Sequence, residues 1–158
     1  MYTVLLTCVG GEFAPELISK LKNSKKHLIK LIGVDENKNA IGRHFCDLFF
    51  KVPSGVDKKY EEVIQAIVKL HDVDLVIPTS DEEAISLSNS RDFFENHKCI
   101  LASVEKDTLS ILANKKKTHE HLKKHGIHTP KTLIAHNYEE LKVITQKIYE
   151  ELGEFVLK

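Results

Sequence analysis

Short apolar runs and longer amphipathic stretches alternate along the first two thirds of the chain. Thr3-Val4-Leu5-Leu6-Thr7-Cys8-Val9 is a continuous apolar run that ends in Gly10-Gly11. Its length and β-branched content suit a strand buried on both faces of a sheet. Residues 13–21 then predict a short helix, with Pro15 in the first turn, where a missing N–H costs little. Residues 28–34 are a second apolar run, closed by Asp35, and residues 48–52 a third, closed by Pro53. Residues 57–71 predict an amphipathic helix. Tyr60, Val63, Ile64, Ile67 and Leu70 mark its buried stripe, and Asp57 is its cap. Residues 75–77 are a fourth strand, stopped by Pro78. Thr79-Ser80-Asp81 caps a helix carrying Ile85, Leu87, Phe93 and Phe94. Residues 99–102 make a fifth strand, and Ser103 caps the next helix.

Short strands alternating with helices predict an α/β fold: a Rossmann-like open parallel five-stranded sheet with helices on both faces. Right-handed crossovers favour the order 3-2-1-4-5, with strand 1 central. After Ser103 the pattern changes. Residues 104–113 and 115–125 read as helices, Gly126 ends the second, and His128-Thr129-Pro130 makes a turn. Residues 131–135 look extended. Asn137 caps a helix through Leu152, with Leu141, Ile144, Ile148 and Leu152 on one face. Gly153 terminates it, and residues 154–158 begin a new strand. The expected division is a Rossmann-like domain over 1–103, a helical linker over 104–130 and the start of a further domain over 131–158.

The 158 residues carry 23 Lys+Arg against 23 Asp+Glu, so the net charge is zero, which argues against a dedicated nucleic-acid binder. A content of 42% hydrophobic and 29% charged residues excludes disordered and collagen-like classes. No apolar run approaches the roughly 18 residues that a membrane span needs. Met1-Tyr2-Thr3-Val4 lacks the basic region of a signal peptide, so a cytoplasmic protein without a membrane partner is expected. Cys8, Cys46 and Cys99 have no CxxC spacing and read as reduced thiols. Cys8 borders the glycine turn; a catalytic thiol there competes with a small buried hydrophobe. His121 and His125 share a helix face, but no third ligand has suitable spacing, so no metal site is expected.

Ligands of such sheets bind beyond the carboxyl ends of the strands, where the strand order switches. That edge carries Gly10, Gly11, Asp35 and the run Thr79-Ser80-Asp81-Glu82-Glu83. The glycines admit close backbone approach, and the following helix start offers N–H groups to an anion; a plain tight turn is the alternative. Asp35 sits where a ribose-binding acid would, yet only the middle glycine of a GxGxxG fingerprint is present. Asp81, Glu82 and Glu83 suit a helix N-terminus electrostatically, and they equally suit contact with a substrate amine.

Taken in order, several stretches resemble the N-terminal region of ATP-grasp enzymes, above all the carbamoyl-phosphate synthase large-chain-like carboxylate–amine ligases. They are Leu5-Leu6-Thr7-Cys8-Val9-Gly10-Gly11, Ile32-Gly33-Val34-Asp35, Ala40-Ile41-Gly42-Arg43, Cys46-Asp47 and Val52-Pro53. The most specific is Asp74-Leu75-Val76-Ile77-Pro78-Thr79-Ser80-Asp81-Glu82-Glu83. Asn114-Lys115 and Gly126-Ile127-His128-Thr129-Pro130 resemble the family's linker, and Phe155-Val156-Leu157-Lys158 the strand bearing a nucleotide lysine. Asn114 stands where Asp is usual, and Phe155 where Pro is common.

The resemblance implies a ligase in which ATP phosphorylates a carboxylate and an amine displaces the acyl phosphate. Lys115 and Lys158 would approach the ATP phosphates, where ammonium charge stabilises transfer. Gly10, Gly11, Asp35, Asp81 and Glu83 would face small-molecule carboxylate and amine substrates. The implied cofactors are ATP and Mg2+, with the metal ligands, the lid and the adenine site expected beyond Lys158. On this reading the chain is a pre-ATP-grasp domain, a linker and the first piece of a catalytic domain, and it is inactive alone. An uncapped last strand also makes a homodimer a candidate assembly. The alternatives are a stand-alone Rossmann-type nucleotide- or NAD(P)-binding module and a non-catalytic assembly domain.

Overall fold

The computed structural model describes residues 1–157. The chain divides into two compact units, Met1–Ser110 and Ile111–Lys158. The first is a parallel sheet of β1 (Tyr2–Leu6), β2 (Ile29–Asp35), β3 (Leu48–Lys51), β4 (Leu75–Ile77) and β5 (Ile100–Leu101). The order is β3-β2-β1-β4-β5, as the alternation predicts. Val4 pairs with Leu31 on one side and Leu75 on the other, which makes β1 the centre of the register.

Alternation along the strands builds two cores. Leu5, Ile32, Val34, Val76 and Leu101 face α2 (Tyr60–His71), α3 (Asp81–Ser88) and α4 (Arg91–Asn96) through Ile64, Leu87 and Phe94. Val4, Leu6 and Leu31 face α1 (Ala14–Lys22) through Ala14 and Ile18. A short 3-10 helix, Ile41–Phe45, follows β2. Its Gly42 lies so near Val9 that a Cβ there would stand 2.2 Å from the Val9 carbonyl oxygen. Asp47 ties the start of β3 to β2: it accepts from Leu31 N at 2.7 Å and pairs with Lys22.

Several expected boundaries move. The first strand stops at Leu6 rather than Val9, because Cys8 takes a left-handed φ of 48° that no strand accommodates. α2 starts at Tyr60, not Asp57. The Asp57 carbonyl accepts from Tyr60 N at 3.0 Å and its carboxylate from Lys59 N at 2.8 Å, so Asp57 closes the preceding turn. Leu70 leaves the buried stripe at 74% exposure and Val68 replaces it, since the face aligned with Tyr60 and Ile64 continues through 67 and 68. The helix expected after Thr79 is two, broken at Asn89 and Ser90. Ser103 caps nothing: α5 (Lys106–Leu112) begins three residues later, and the Ser103 carbonyl is held by Arg91 at 2.6 Å.

The second unit contains α6 (Lys115–Lys124) and α7 (Tyr138–Leu152). Asn114 caps α6 by accepting from Lys117 N at 3.1 Å. Gly126, at φ 70°, turns the chain after it. Asn137 and Glu140 form a reciprocal capping box at α7: Asn137 Oδ1 accepts from Glu140 N, and Glu140 Oε2 from His136 N, both at 2.9 Å. The expected extended stretch at 131–135 joins no sheet; Lys131 pairs with Glu151 of α7. Residues 154–157 form no strand either, and Lys158 lies outside the described residues.

Candidate functional site

The strand order reverses at β1, so the loops after β1 and β4 leave toward opposite faces at the carboxyl edge, which is where a crevice is expected in such sheets. Thr7, just past β1, joins the two sides. Its hydroxyl donates to Glu83 Oε2 at 2.5 Å and accepts from Thr79 N at 3.2 Å, while its carbonyl accepts from the Thr79 hydroxyl at 2.8 Å. Ser80 caps α3 through Glu83 N at 3.3 Å and donates its hydroxyl to the same Glu83 oxygen at 3.0 Å. Asp35, at the end of β2, is buried and accepts from Gly10 N and Asn37 N, both at 2.8 Å.

The sequence-expected residues therefore fall into three groups. Gly10, Gly11 and Asp35 meet in the turn after β1, where Gly11 N donates to the Cys8 carbonyl at 2.9 Å. The left-handed position of this turn is Cys8, not a glycine. Asp81 and Glu83 share α3 but not an environment: Asp81 is exposed and Glu83 only 6% exposed. Lys115 is exposed at the start of α6, in the other unit, and Lys158 lies outside the described residues.

Three participants are not among the expected site residues, although Thr7 and Ser80 lie in stretches that carry the resemblance. Thr7 reads as part of a strand, Ser80 as a cap and Tyr60 as core. Tyr60 is fully buried, its hydroxyl has no partner of good geometry, and it lies close enough to Glu83 and Thr7 to feel both. Gly55, in the loop after β3, approaches so closely that a Cβ would meet Glu83 Cγ at 2.8 Å.

The electrostatics are set by burial. Desolvation raises the Glu83 pKa, with the Asp35 charge adding to it; the Thr7, Ser80 and Tyr60 hydroxyls oppose the rise. Burial, then the Glu83 and Asp35 charges, raises the Cys8 thiol, so Cys8 is a poor nucleophile. Burial and the Glu83 charge raise Tyr60 as well. Neither Glu83 nor Asp35 has an ion-pair partner among the described residues. Nor does any group of three His, Cys, Asp or Glu side chains assemble there to hold a metal. No described helix is long and apolar enough to cross a membrane. A cleft of about 400 Å³ at β5, lined by Arg91, Phe94, Lys98 and Ile100 among others, lies away from this chemistry.

A family profile described as the PylC-like N-terminal domain matches residues 4–102, which spans the sheet from β1 to β5. The chain belongs to this family. It is accordingly an N-terminal region of the ATP-grasp enzyme type. Solved structures agree on the fold. N5-carboxyaminoimidazole synthetase from Staphylococcus aureus, complexed with ADP, is similar at 16% identity and TM-score 0.65, over 96% of this chain and 36% of that one. The biotin carboxylase domain of Hydrogenobacter thermophilus 2-oxoglutarate carboxylase, with MgADP and bicarbonate, is similar at 17% identity and TM-score 0.60, over 94% and 33%. Glycinamide-RNase-transformylase T from Mycobacterium tuberculosis gives 15% identity and TM-score 0.59, over 78% and 35%. The chain spans about a third of the length of each. No curated protein sequence matches it.

Proposed function

We propose that this chain is the N-terminal part of an ATP-dependent carboxylate–amine ligase, of the carbamoyl-phosphate synthase large-chain-like kind, working through an acyl phosphate. The family match over residues 4–102 carries the reading. The carboxyl-edge crevice supplies a face for the small-molecule carboxylate and amine: Gly10, Gly11 and Asp35 on one side, Asp81 and Glu83 on the other. Residues 104–130 are the linker and 131–158 the first piece of the ATP-grasp domain. Alone the chain turns over no ATP.

Lys115 and Lys158 are the ATP-phosphate lysines of this proposal. α6 supports Lys115: its first turn is Lys115-Lys116-Lys117 without an acidic residue, against the helix dipole, whereas α2, α3 and α7 all begin with carboxylates. A phosphate would offset that charge. When bound, ATP with Mg2+ supplies the phosphoryl group that activates the carboxylate.

The test uses the longer polypeptide that contains this chain. ATP consumption should require both a carboxylate and an amine, with 18O passing from carboxylate to phosphate. Lys115→Ala should raise KM for ATP about tenfold or more, a loss of roughly 1.4 kcal/mol of binding. Unchanged ATP kinetics would remove Lys115 from the site, and tight NAD binding without ATP use would replace the ligase reading with the nucleotide-module one.

A further inference from the structure

We propose that Glu83, Tyr60 and Thr7 form a proton-holding cluster, in which Glu83 keeps its proton to a higher pH than an exposed glutamate does and the Tyr60 hydroxyl sets where it releases it. Glu83 is only 6% exposed, and both hydroxyls that bond it, from Thr7 and Ser80, fall on Oε2. Its other oxygen accepts no hydrogen bond among the described residues. The groups around it offer no cation: Thr7 and Cys8 after β1, Asp35 of β2, Tyr60 of α2 and Ser80 at the cap of α3. Asp35 and, when ionised, Cys8 only add negative charge. A buried carboxylate in such surroundings ionises reluctantly.

Tyr60 supplies the second, independent observation. A fully buried phenol with no hydrogen-bond partner is costly, and this one lies beside the carboxyl. A hydroxyl both donates and accepts. It can therefore donate to the carboxylate once the Glu83 proton has left for solvent, which favours the charged form. Tyr60 is thus a positioning residue acting through Glu83. If the crevice takes the amine substrate, which rests on the function proposed above, a protonated amine replaces the Glu83 proton and one proton passes to the buffer.

The test is a carboxyl 13C NMR titration of the 158-residue chain from pH 4 to 9, with Glu83 assigned by its loss in Glu83→Gln. Glu83 should titrate above the exposed glutamates. Tyr60→Phe removes one donor to the carboxylate and should move the midpoint up by about half a pH unit or more. Thr7→Val should move it in the same direction, and it serves if Tyr60→Phe does not fold. Urea unfolding gives a second readout. A carboxyl with a raised folded pKa stabilises fully below its unfolded value, and that stability is lost as pH rises through the folded value. Wild type should therefore lose stability relative to Glu83→Gln over that rise. Glu83 titrating with the surface glutamates, or a midpoint unmoved by both substitutions, overturns the proposal. Neither measurement involves ATP, so the ligase reading stands or falls separately.

Discussion

In α2, Tyr60, Ile64, Ile67 and Val68 are all buried against strands or neighbouring helices. In α7, Leu141, Ile144, Ile148 and Leu152 have the same helical spacing, yet only Ile148 is buried, and Leu152 is more than half exposed. Met1–Ser110 surrounds a sheet on two faces; Ile111–Lys158 has no sheet among its described residues. An apolar stripe is thus a demand for a partner rather than evidence of a core. Within Met1–Ser110 the demand is met by a sheet whose central strands are covered on both faces. Within Ile111–Lys158, Leu133, Val143, Tyr149 and Phe155 remain open.

The contrast breaks most directly by truncating one buried side chain in each unit. Leu5→Ala removes a fully buried residue of the central strand and should cost about 2–5 kcal/mol in urea unfolding. Ile148→Ala should cost less, about 1–2 kcal/mol, because its stripe neighbours in α7 are partly or largely exposed and the site can relax around the missing side chain. Equal costs would mean that the two units are equally cored. Gly42→Ala comes next. Its new methyl would have to displace the Val9 backbone, so the expected cost is about 1–3 kcal/mol, read from the same denaturation curves.

What the sequence shows well is what short-range periodicity decides. The five strands, their order and the caps at Ser80 and Asn137 are all legible, because apolar runs, turn residues and cap chemistry are local signals. What it hides is set at long range. Asp57 looks like a cap, but the turn at 54–57 shifts the helix start to Tyr60. Cys8 gives no sign of a left-handed backbone, which belongs more often to Gly, Asn or Asp. At the crevice, Glu83 is legible as an edge carboxylate, but its burial is not. Thr7 is 76 residues away in sequence, and the Tyr60 phenol looks like any other core residue. Asp81 and Glu83 are near-equivalent as letters; only the packing of Gly55 and Thr7 separates the exposed acid from the buried one.

Helix caps give a smaller effect that sharpens the comparison. Asn137→Ala removes the acceptor for Glu140 N and should cost about 1 kcal/mol. In a unit without a deep core that cost should appear locally. Amide exchange in α7 should accelerate by about fivefold, the equivalent of 1 kcal/mol, while β1 and β2 keep their protection. Acceleration in β1 as well would show that the units unfold together.

The smallest signal comes from the thiols, and it isolates the first unit. Cys8, Cys46 and Cys99 all lie within Met1–Ser110. Burial pushes both Cys46 and Cys99 up to about 11, with the Asp47 and Asp74 charges adding to it respectively. At pH 8 only about one in a thousand of either would be thiolate, so a thiol reagent reacts chiefly when the fold opens. Labelling of Cys99, the most buried, then measures the opening of the sheet. Leu5→Ala should speed it, since the opened state becomes more populated, and Asn137→Ala should leave it unchanged. If Asn137→Ala accelerated Cys99 as much as Leu5→Ala does, loosening one unit would loosen the other, and the contrast between α2 and α7 would describe burial without describing stability.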